Sequence, residues 1–118
     1  MDKIILRGLP VHCIVGTLPE ERTAPQPLSF DLELCGDFSR AGATDDLADA
    51  VDYTAVERTV REFAAGTTFF LLERLAYACA GELLARFPLL ERVTLGIRKP
   101  SAPVESESVA LEITLDRT

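Results

Sequence analysis

Apolar and polar residues follow two different periods along the chain, and these periods predict both strands and helices. Between residues 28 and 35 the two classes alternate, with four apolar residues from Leu28 to Leu34 on one face, which predicts a half-buried strand. The same alternation predicts three further strands, at residues 3–15, 91–99 and 108–115. The sequence Gly8-Leu9-Pro10 within the first strand indicates a bulge, because proline is poorly suited to a regular central ladder.

Two segments in the middle of the chain have the spacing of amphipathic helices. The first is predicted from Tyr53 to about Ala65, with Asp52 as its N-cap. The second is predicted to be capped by Thr67 or Thr68 and to end near Phe87-Pro88. Prolines, glycine and acidic residues predict loops at residues 16–27 and 36–50.

The predicted order is β-β-α-α-β-β, which is typical of an α+β fold with helices on one face of a four-stranded antiparallel sheet. A length of 118 residues fits one domain, spanning residues 1–118. A sheet of four strands leaves two edges without partners. Association of subunits through these edges is therefore expected.

Composition narrows the classes of function. The chain has 12 Lys and Arg against 19 Asp and Glu, for a net charge of −7, which argues against binding to nucleic acid or to an anionic membrane surface. No apolar run approaches the roughly 20 residues of a membrane span. The first residues lack the apolar stretch of a signal peptide, so a cytoplasmic protein is expected.

The cysteine and histidine content argues against disulfides and metal sites. Cys13, Cys35 and Cys79 are odd in number, widely spaced and in apolar surroundings, so buried reduced thiols are expected. The only histidine, His12, has no potential ligands clustered near it. A structural role in the first strand is favoured for His12 over a catalytic one.

Two charged residues deviate from the local pattern. Lys99 has the parity of the apolar residues Val93, Leu95 and Ile97, at the end of the third strand. It is either a lysine that snorkels from the strand end or a partly desolvated lysine able to exchange a proton. Glu73, in the first turn of the second helix, is favoured there by the helix dipole, but its two oxygens also match a ligand with adjacent N–H groups.

Two further features have an ordinary explanation when each is taken alone. Tyr53 begins the first helix, where packing or a surface position is usual. Glu20-Glu21-Arg22 lies in a loop and reads as a solvated charge cluster. The order and spacing of these residues along the chain are more specific than either feature alone, because Glu21 follows Gly16 by five residues.

In order and spacing, this set resembles the dihydroneopterin aldolase family of folate biosynthesis over essentially the whole chain. The motifs that carry the resemblance are Gly16 with Glu21, Arg22 and Gln26; Asp45-Asp46-Leu47 before Val51-Asp52-Tyr53; the segment from Phe70 to Ala76; and Lys99-Pro100-Ser101-Ala102-Pro103. The resemblance implies the tunnelling fold, in which subunits join edge to edge into rings, usually as an octamer of two stacked tetramers. Active sites are then expected between neighbouring subunits.

The resemblance also implies a reaction. The family cleaves 7,8-dihydroneopterin into 6-hydroxymethyl-7,8-dihydropterin and glycolaldehyde, with no metal, Schiff base or other cofactor. By resemblance, Lys99 is the general acid and base. Tyr53, supplied by the neighbouring subunit, serves in the proton relay, and Glu21 helps to hold the side-chain hydroxyls and a catalytic water.

The same resemblance implies a set of substrate-binding residues. Glu73 is expected to bind the 2-amino group and N3–H of the pterin, assisted by the backbone of Leu72. Val51 and Asp52 of the neighbouring subunit are expected to supply backbone contacts to the pterin.

Two other functions stay open at this point. An epimerase of the same fold acts at C2′ of dihydroneopterin or its triphosphate, and it shares the retro-aldol step. The presence of Tyr53 together with the full Lys-Pro-x-Ala-Pro stretch favours the aldolase. The second alternative is a non-catalytic ring module that binds a purine-like or pterin ligand. The matched polar residues argue against it, because assembly alone does not need a lysine on an apolar strand face.

Overall fold

Four antiparallel strands form one sheet, and two long helices cover one of its faces. The computed structural model describes all 118 residues. The strands are β1 (Asp2–Cys13), β2 (Gln26–Gly36), β3 (Leu90–Lys99) and β4 (Val109–Asp116), and the helices are α1 (Ser39–Thr44), α2 (Tyr53–Ala65) and α3 (Leu72–Arg86). Strand order in the sheet follows chain order, so β1 and β4 are its edges. The predicted α+β class and the order of the four strands and two long helices are confirmed.

A bulge in β1 determines which side chains face the core. The register with β2 shifts between Leu6 and Leu9, where Gly8 has a φ of 67°, as the predicted bulge requires. Because one extra residue reverses the alternation, Leu9, Val11 and Cys13 point inwards and are buried. His12 is consequently exposed. His12 therefore does not pack into the core, and its structural role stays a prediction.

The core lies between the sheet and the two long helices. Helix α2 packs against β1, and α3 packs against β3 and β4. A cluster of 23 buried apolar residues fills this layer, with Phe30 at the centre of β2. The prediction for α2 is confirmed at its start, where Oδ1 of Asp52 accepts hydrogen bonds from the backbone N–H groups of Thr54 and Ala55 at 3.0 and 3.2 Å.

The start of the second long helix was predicted wrongly. Neither Thr67 nor Thr68 caps it, and α3 begins at Leu72 after Leu71, which provides no side-chain cap. The hydroxyl of Thr67 instead donates to the carbonyl of Ala64 at 2.8 Å, at the end of α2. A residue that looked like a helix start therefore serves the end of the preceding helix.

The two predicted loops contain short helical turns. A 3₁₀ turn spans Pro19–Arg22, and the longer loop holds α1 and a second 3₁₀ turn at Leu47–Asp49. These elements have three to six residues, which is too short for a hydrophobic period to be recognised. The Pro19–Arg22 turn matters for the site, because it carries Glu21.

Three chemical features of the chain are also visible in the fold. All three cysteines are buried and free, as expected. No group of three or more His, Cys, Asp or Glu side chains is arranged to hold a metal ion. None of the helices combines the length and the hydropathy that a membrane crossing requires.

Candidate active site

The end of β3 and the loop after β1 meet at one end of the sheet. The antiparallel pairing brings the last residue of β1, Cys13, opposite Gln26, while Ser29 of β2 lies opposite Arg98 of β3. Lys99 closes β3 and is only 8% exposed, on the same face as the buried residues of that strand. It is the one charged residue of the chain that is buried. Lys99 therefore lies, as its parity predicted, on the otherwise apolar face of β3.

A short ion pair joins Lys99 to Glu21. The Nζ atom of Lys99 lies 2.5 Å from Oε2 of Glu21, and the two side chains are 10% and 11% exposed. The ammonium thus does not snorkel into solvent but meets a carboxylate inside the protein. Little water screens such a pair, so its attraction is stronger than that of a surface salt bridge.

Several neighbours fix the carboxylate of Glu21. The backbone N–H of Leu18 donates to Oε1 at 3.3 Å, and the amide of Gln26 donates to Oε2 at 3.4 Å. The hydrogen bond from Lys99 is the main cause that lowers the pKa of Glu21 below its ordinary value of 4.5. Glu21 is therefore a carboxylate near neutral pH, and it acts as an acceptor only.

Arg22, the residue after Glu21, ties this loop to the segment that precedes α3. Its guanidinium donates to the carbonyls of Gly16, Phe69 and Thr68 at 3.1, 2.9 and 2.5 Å. It also lies over the ring of Phe70, 4.1 Å from the centroid. This contact brings the start of α3 to the loop that carries Glu21.

The first turn of α3 contributes two of the expected binding residues at this end of the fold. Leu72 is half-buried, and Glu73 is exposed and forms no ion pair or hydrogen bond within the chain. The carboxylate of Glu73 is therefore free to accept hydrogen bonds from a ligand.

The remaining expected residues lie at the other end of α2. Tyr53 begins this helix and is 58% exposed. The opposite end of α2 lies near Arg22, because the carbonyl of Thr68, just after the helix, accepts a hydrogen bond from Arg22. A helix of 13 residues is about 18 Å long between its terminal Cα atoms. Val51 is buried just before the helix, and Asp52 is occupied as its cap. One chain thus pairs Lys99 with Glu21 and ties the Glu21 loop, through Arg22, to the segment before Leu72 and Glu73. Tyr53, Val51 and Asp52 lie at the far end of α2.

A shallow cleft lies beside the ion pair. It has a volume of about 270 Å³ and is lined by Glu20, Glu21, Gln26 and Ser101, together with prolines and an alanine. Pockets for small organic ligands usually measure roughly 300–1,000 Å³ and enclose most of the ligand. The cleft of one chain is thus small for a bicyclic ligand.

The contacts of Arg22 are the part of the site that the sequence did not reveal. The sequence predicts Arg22 as part of a solvated charge cluster. In the structure Arg22 is half-buried, and its partners are backbone carbonyls 6 to 47 residues away. Backbone acceptors leave no side-chain signature, so only the motif spacing after Gly16 marked this residue.

Comparison with known proteins gives consistent matches over the whole chain. The family model for FolB, dihydroneopterin aldolase, matches residues 4–114. Dihydroneopterin aldolase of Streptococcus pyogenes serotype M18 is 38% identical over 117 residues, covering 99% of this chain and 98% of that protein. The Bacillus subtilis enzyme of the same name is 33% identical over 116 residues, covering 97% of each chain. A crystal structure of Escherichia coli dihydroneopterin aldolase in complex with neopterin has a TM-score of 0.90 and 34% identity, covering 98% of this chain and 99% of that one.

The shared fold and the full-length matches define an enzyme of the carbon–carbon lyase class, built on the tunnelling fold. The resemblance read from the sequence motifs is confirmed. The chain belongs to the dihydroneopterin aldolase family.

Proposed function

We propose that the chain cleaves 7,8-dihydroneopterin into 6-hydroxymethyl-7,8-dihydropterin and glycolaldehyde, by a retro-aldol reaction in folate biosynthesis. The observation that carries the proposal is the ion pair between buried Lys99, at the end of β3, and half-buried Glu21. It occurs in a chain that matches the family over nearly its whole length.

The substrate provides the electron sink for this reaction. Removal of the 2′-hydroxyl proton forms the aldehyde C=O, and the C1′–C2′ bond breaks. Its electron pair moves through C6 into the C6=N5 imine, and N5 takes up a proton. Glycolaldehyde leaves, and the resulting enaminol gains a proton at the side-chain carbon while N5 loses the proton that it had taken up. The C6=N5 imine re-forms in the hydroxymethyl product, so that atoms and charge balance.

Lys99 and Glu21 have complementary tasks in this scheme. The ammonium of Lys99 donates a hydrogen bond or a proton toward N5, and the amine takes back a proton as the cycle closes. Glu21, a carboxylate whose acceptor sites point at Lys99 and the neighbouring N–H groups, orients the ammonium and holds the hydroxyls or a water. Because both groups are shielded from solvent, their interaction with the developing charge is strong.

Glu73 is the proposed anchor for the pterin ring. Two parallel N–H donors, the 2-amino group and N3–H, match the two oxygens of one carboxylate. The backbone of Leu72 assists at the same end of α3. The absence of any partner for Glu73 within the chain supports this role, because its acceptor capacity is unused.

The complete site is proposed to lie between subunits of a ring. Tyr53, with Val51 and Asp52 beside it, lies about one helix length from the end of α2 that is tied to the ion pair, so these residues act in a neighbour's site. The unpaired edges of β1 and β4 provide the surfaces for edge-to-edge assembly. The proposed assembly is an octamer of two tetrameric rings, and the buried reduced thiols support a cytoplasmic location.

Product analysis tests the proposed reaction. The purified protein is incubated with 7,8-dihydroneopterin, and 6-hydroxymethyl-7,8-dihydropterin and glycolaldehyde are quantified. Lys99→Ala should abolish turnover while the pterin still binds. Lys3→Ala is the matched control, because Lys3 pairs with Glu33 at 2.9 Å on an exposed part of the sheet and should leave turnover unchanged. Turnover by Lys99→Ala at the wild-type rate would refute the role of Lys99.

The same incubation separates the other functions. Formation of the C2′ epimer alone would identify an epimerase, and binding without conversion would identify a non-catalytic module. The epimer beside both cleavage products would add an epimerase activity to the aldolase. For the anchor, Glu73→Ala should abolish pterin binding, whereas Glu62→Ala, another exposed helical glutamate, should not. Unchanged affinity in Glu73→Ala would refute the anchor.

A further inference from the structure

Arg22 is a half-buried cation that pairs with no carboxylate. Its guanidinium is satisfied by the carbonyls of Gly16, Thr68 and Phe69 and by the ring of Phe70. The contacts come from two segments that are far apart in the sequence, the loop after β1 and the approach to α3. A solvated surface arginine has no need for so many fixed partners.

Gly16 links this contact to the ion pair. Its carbonyl accepts from Arg22, and its α-carbon faces the carboxylate of Glu21 so closely that a Cβ atom there would overlap with it. Gly16 also has a φ of 131°, a conformation that glycine adopts without strain. Arg22 therefore holds the piece of backbone against which Glu21 rests.

The start of α3 depends on the same guanidinium. Leu71 provides no side-chain cap for this helix, and Arg22 binds the carbonyls of two residues just before it. These contacts do not cap α3, because its first N–H groups need acceptors and a guanidinium only donates, but they hold the chain that leads into the helix. The direction in which α3 begins, and with it the place of Glu73, is thus set by a contact from the Glu21 loop.

We propose that Arg22 is a positioning residue, which holds Glu21 on Lys99 and keeps the start of α3, with Glu73, at a fixed distance from that pair. The inference rests on the proposed function for the roles of Glu21 and Glu73. Arg22 contacts neither the reacting atoms nor the pterin in this scheme. It acts through Glu21 on one side and the start of α3 on the other.

The geometry requires arginine rather than a general cation. Donors on two different guanidinium nitrogens reach carbonyls of consecutive residues, while the planar face lies on Phe70. A lysine ammonium is a point charge without a flat face, so it satisfies part of this set. The Arg22→Lys variant is therefore expected to fold but to position Glu21 imperfectly.

Steady-state kinetics of Arg22→Met and Arg22→Lys test the inference. We expect kcat for 7,8-dihydroneopterin to fall by about 10- to 100-fold, as for a displacement of about 1 Å at a reacting group, and KM to rise. Arg86→Met is the control, because Arg86 pairs with Glu82 at an exposed part of α3. If Arg22→Met is unfolded at the assay temperature, Arg22→Lys is used in every step below.

A double-mutant cycle distinguishes positioning from a general loss of structure. In a Glu21→Gln background, Arg22→Met should lower kcat little further, because the group that it positions is already altered. The rise in KM should persist, since it reflects Glu73. Equal losses of kcat in both backgrounds, or unchanged kinetics in Arg22→Met, would overturn the inference.

Carbon-13 NMR titration of the Glu21 carboxyl supplies a readout that does not depend on turnover. In Arg22→Met the pKa of Glu21 should rise toward its ordinary value, because the hydrogen bond from Lys99 is weakened. An unchanged titration in Arg22→Met would overturn the inference even in an inactive protein. A wild-type protein that gives no products, but shows this shift on substitution, would instead contradict the proposed function alone.

Discussion

Gly16→Ala is the most revealing single substitution, because Gly16 and Glu21 occupy nearly the same space. A Cβ atom at position 16 would lie 2.5 Å from Oε2 of Glu21 and still closer to the other carboxyl atoms. Contacts between non-bonded heavy atoms are favourable at roughly 3.5–4.0 Å, so the carboxylate has to move by about 1 Å. Gly42→Ala is the matched control, since a Cβ atom there meets nothing within 4 Å.

The size of the effect follows from the same geometry. A shift of about 1 Å lengthens the 2.5 Å contact between Lys99 and Glu21 to roughly 3.5 Å, beyond an ordinary hydrogen bond. We expect kcat to fall on the order of 100-fold, the usual consequence of such a displacement. A non-glycine residue at a φ of 131° adds a destabilisation of about 1–3 kcal/mol.

The assay combines turnover of 7,8-dihydroneopterin with urea unfolding at a fixed protein concentration. Gly42→Ala lies within α1 and should keep wild-type kcat and gain about 0.5–1 kcal/mol, because alanine is the better helix residue. Gly16→Ala should lose both kcat and stability. Wild-type kcat in Gly16→Ala would show that the reaction does not need Glu21 at its present place against Lys99, and would contradict the proposed role of the pair.

Two further predictions concern stability. The lowered pKa of Glu21 means that its pair with Lys99 stabilises the fold fully above pH 4.5 and that this contribution is lost as the pH falls through the lowered value. Urea midpoints should therefore show Glu21→Gln less stable than wild type at about pH 6, with the difference shrinking as the pH falls below 4.5; a difference that stays constant would contradict this. Asp52→Ala should destabilise the fold by about 1 kcal/mol, because α2 loses its cap, and an unchanged urea midpoint would contradict this. The variant should keep its turnover, because the proposed pterin contact of Asp52 uses the backbone, and lost turnover would contradict that contact.

Most of the fold was predictable because its signals are local. The alternation of β2 and the cap at Asp52 each lie within a few residues, and the bulge in β1 was marked by Gly8 and Pro10. The start of α3 was not predictable, since the hydroxyl of Thr67 closes α2 and the approach to α3 is held by Arg22 from another part of the chain. The exposure of His12 follows from the bulge, but only when the register beyond it is counted.

The residues of the site differ in how clearly the sequence marks them. Lys99 was marked by its parity on an apolar strand face, which is a local signal. Its pairing with Glu21, 78 residues away, had no local signal, and Glu21 itself was singled out only through the family resemblance. The contacts of Arg22 with backbone carbonyls leave no trace in the sequence at all, because every residue has a carbonyl.

Lys99 of one subunit is proposed to work with Tyr53 of the neighbouring subunit on dihydroneopterin. Subunit mixing tests this cooperation: Lys99→Ala and Tyr53→Phe chains are unfolded, combined in equal amounts and refolded together. A site with both native side chains forms only where a Tyr53→Phe chain meets a Lys99→Ala neighbour in the correct order, which random assembly provides at about one site in four. The mixture should recover about a quarter of wild-type turnover, although each variant alone has almost none. A mixture no more active than the mean of the two variants would contradict it.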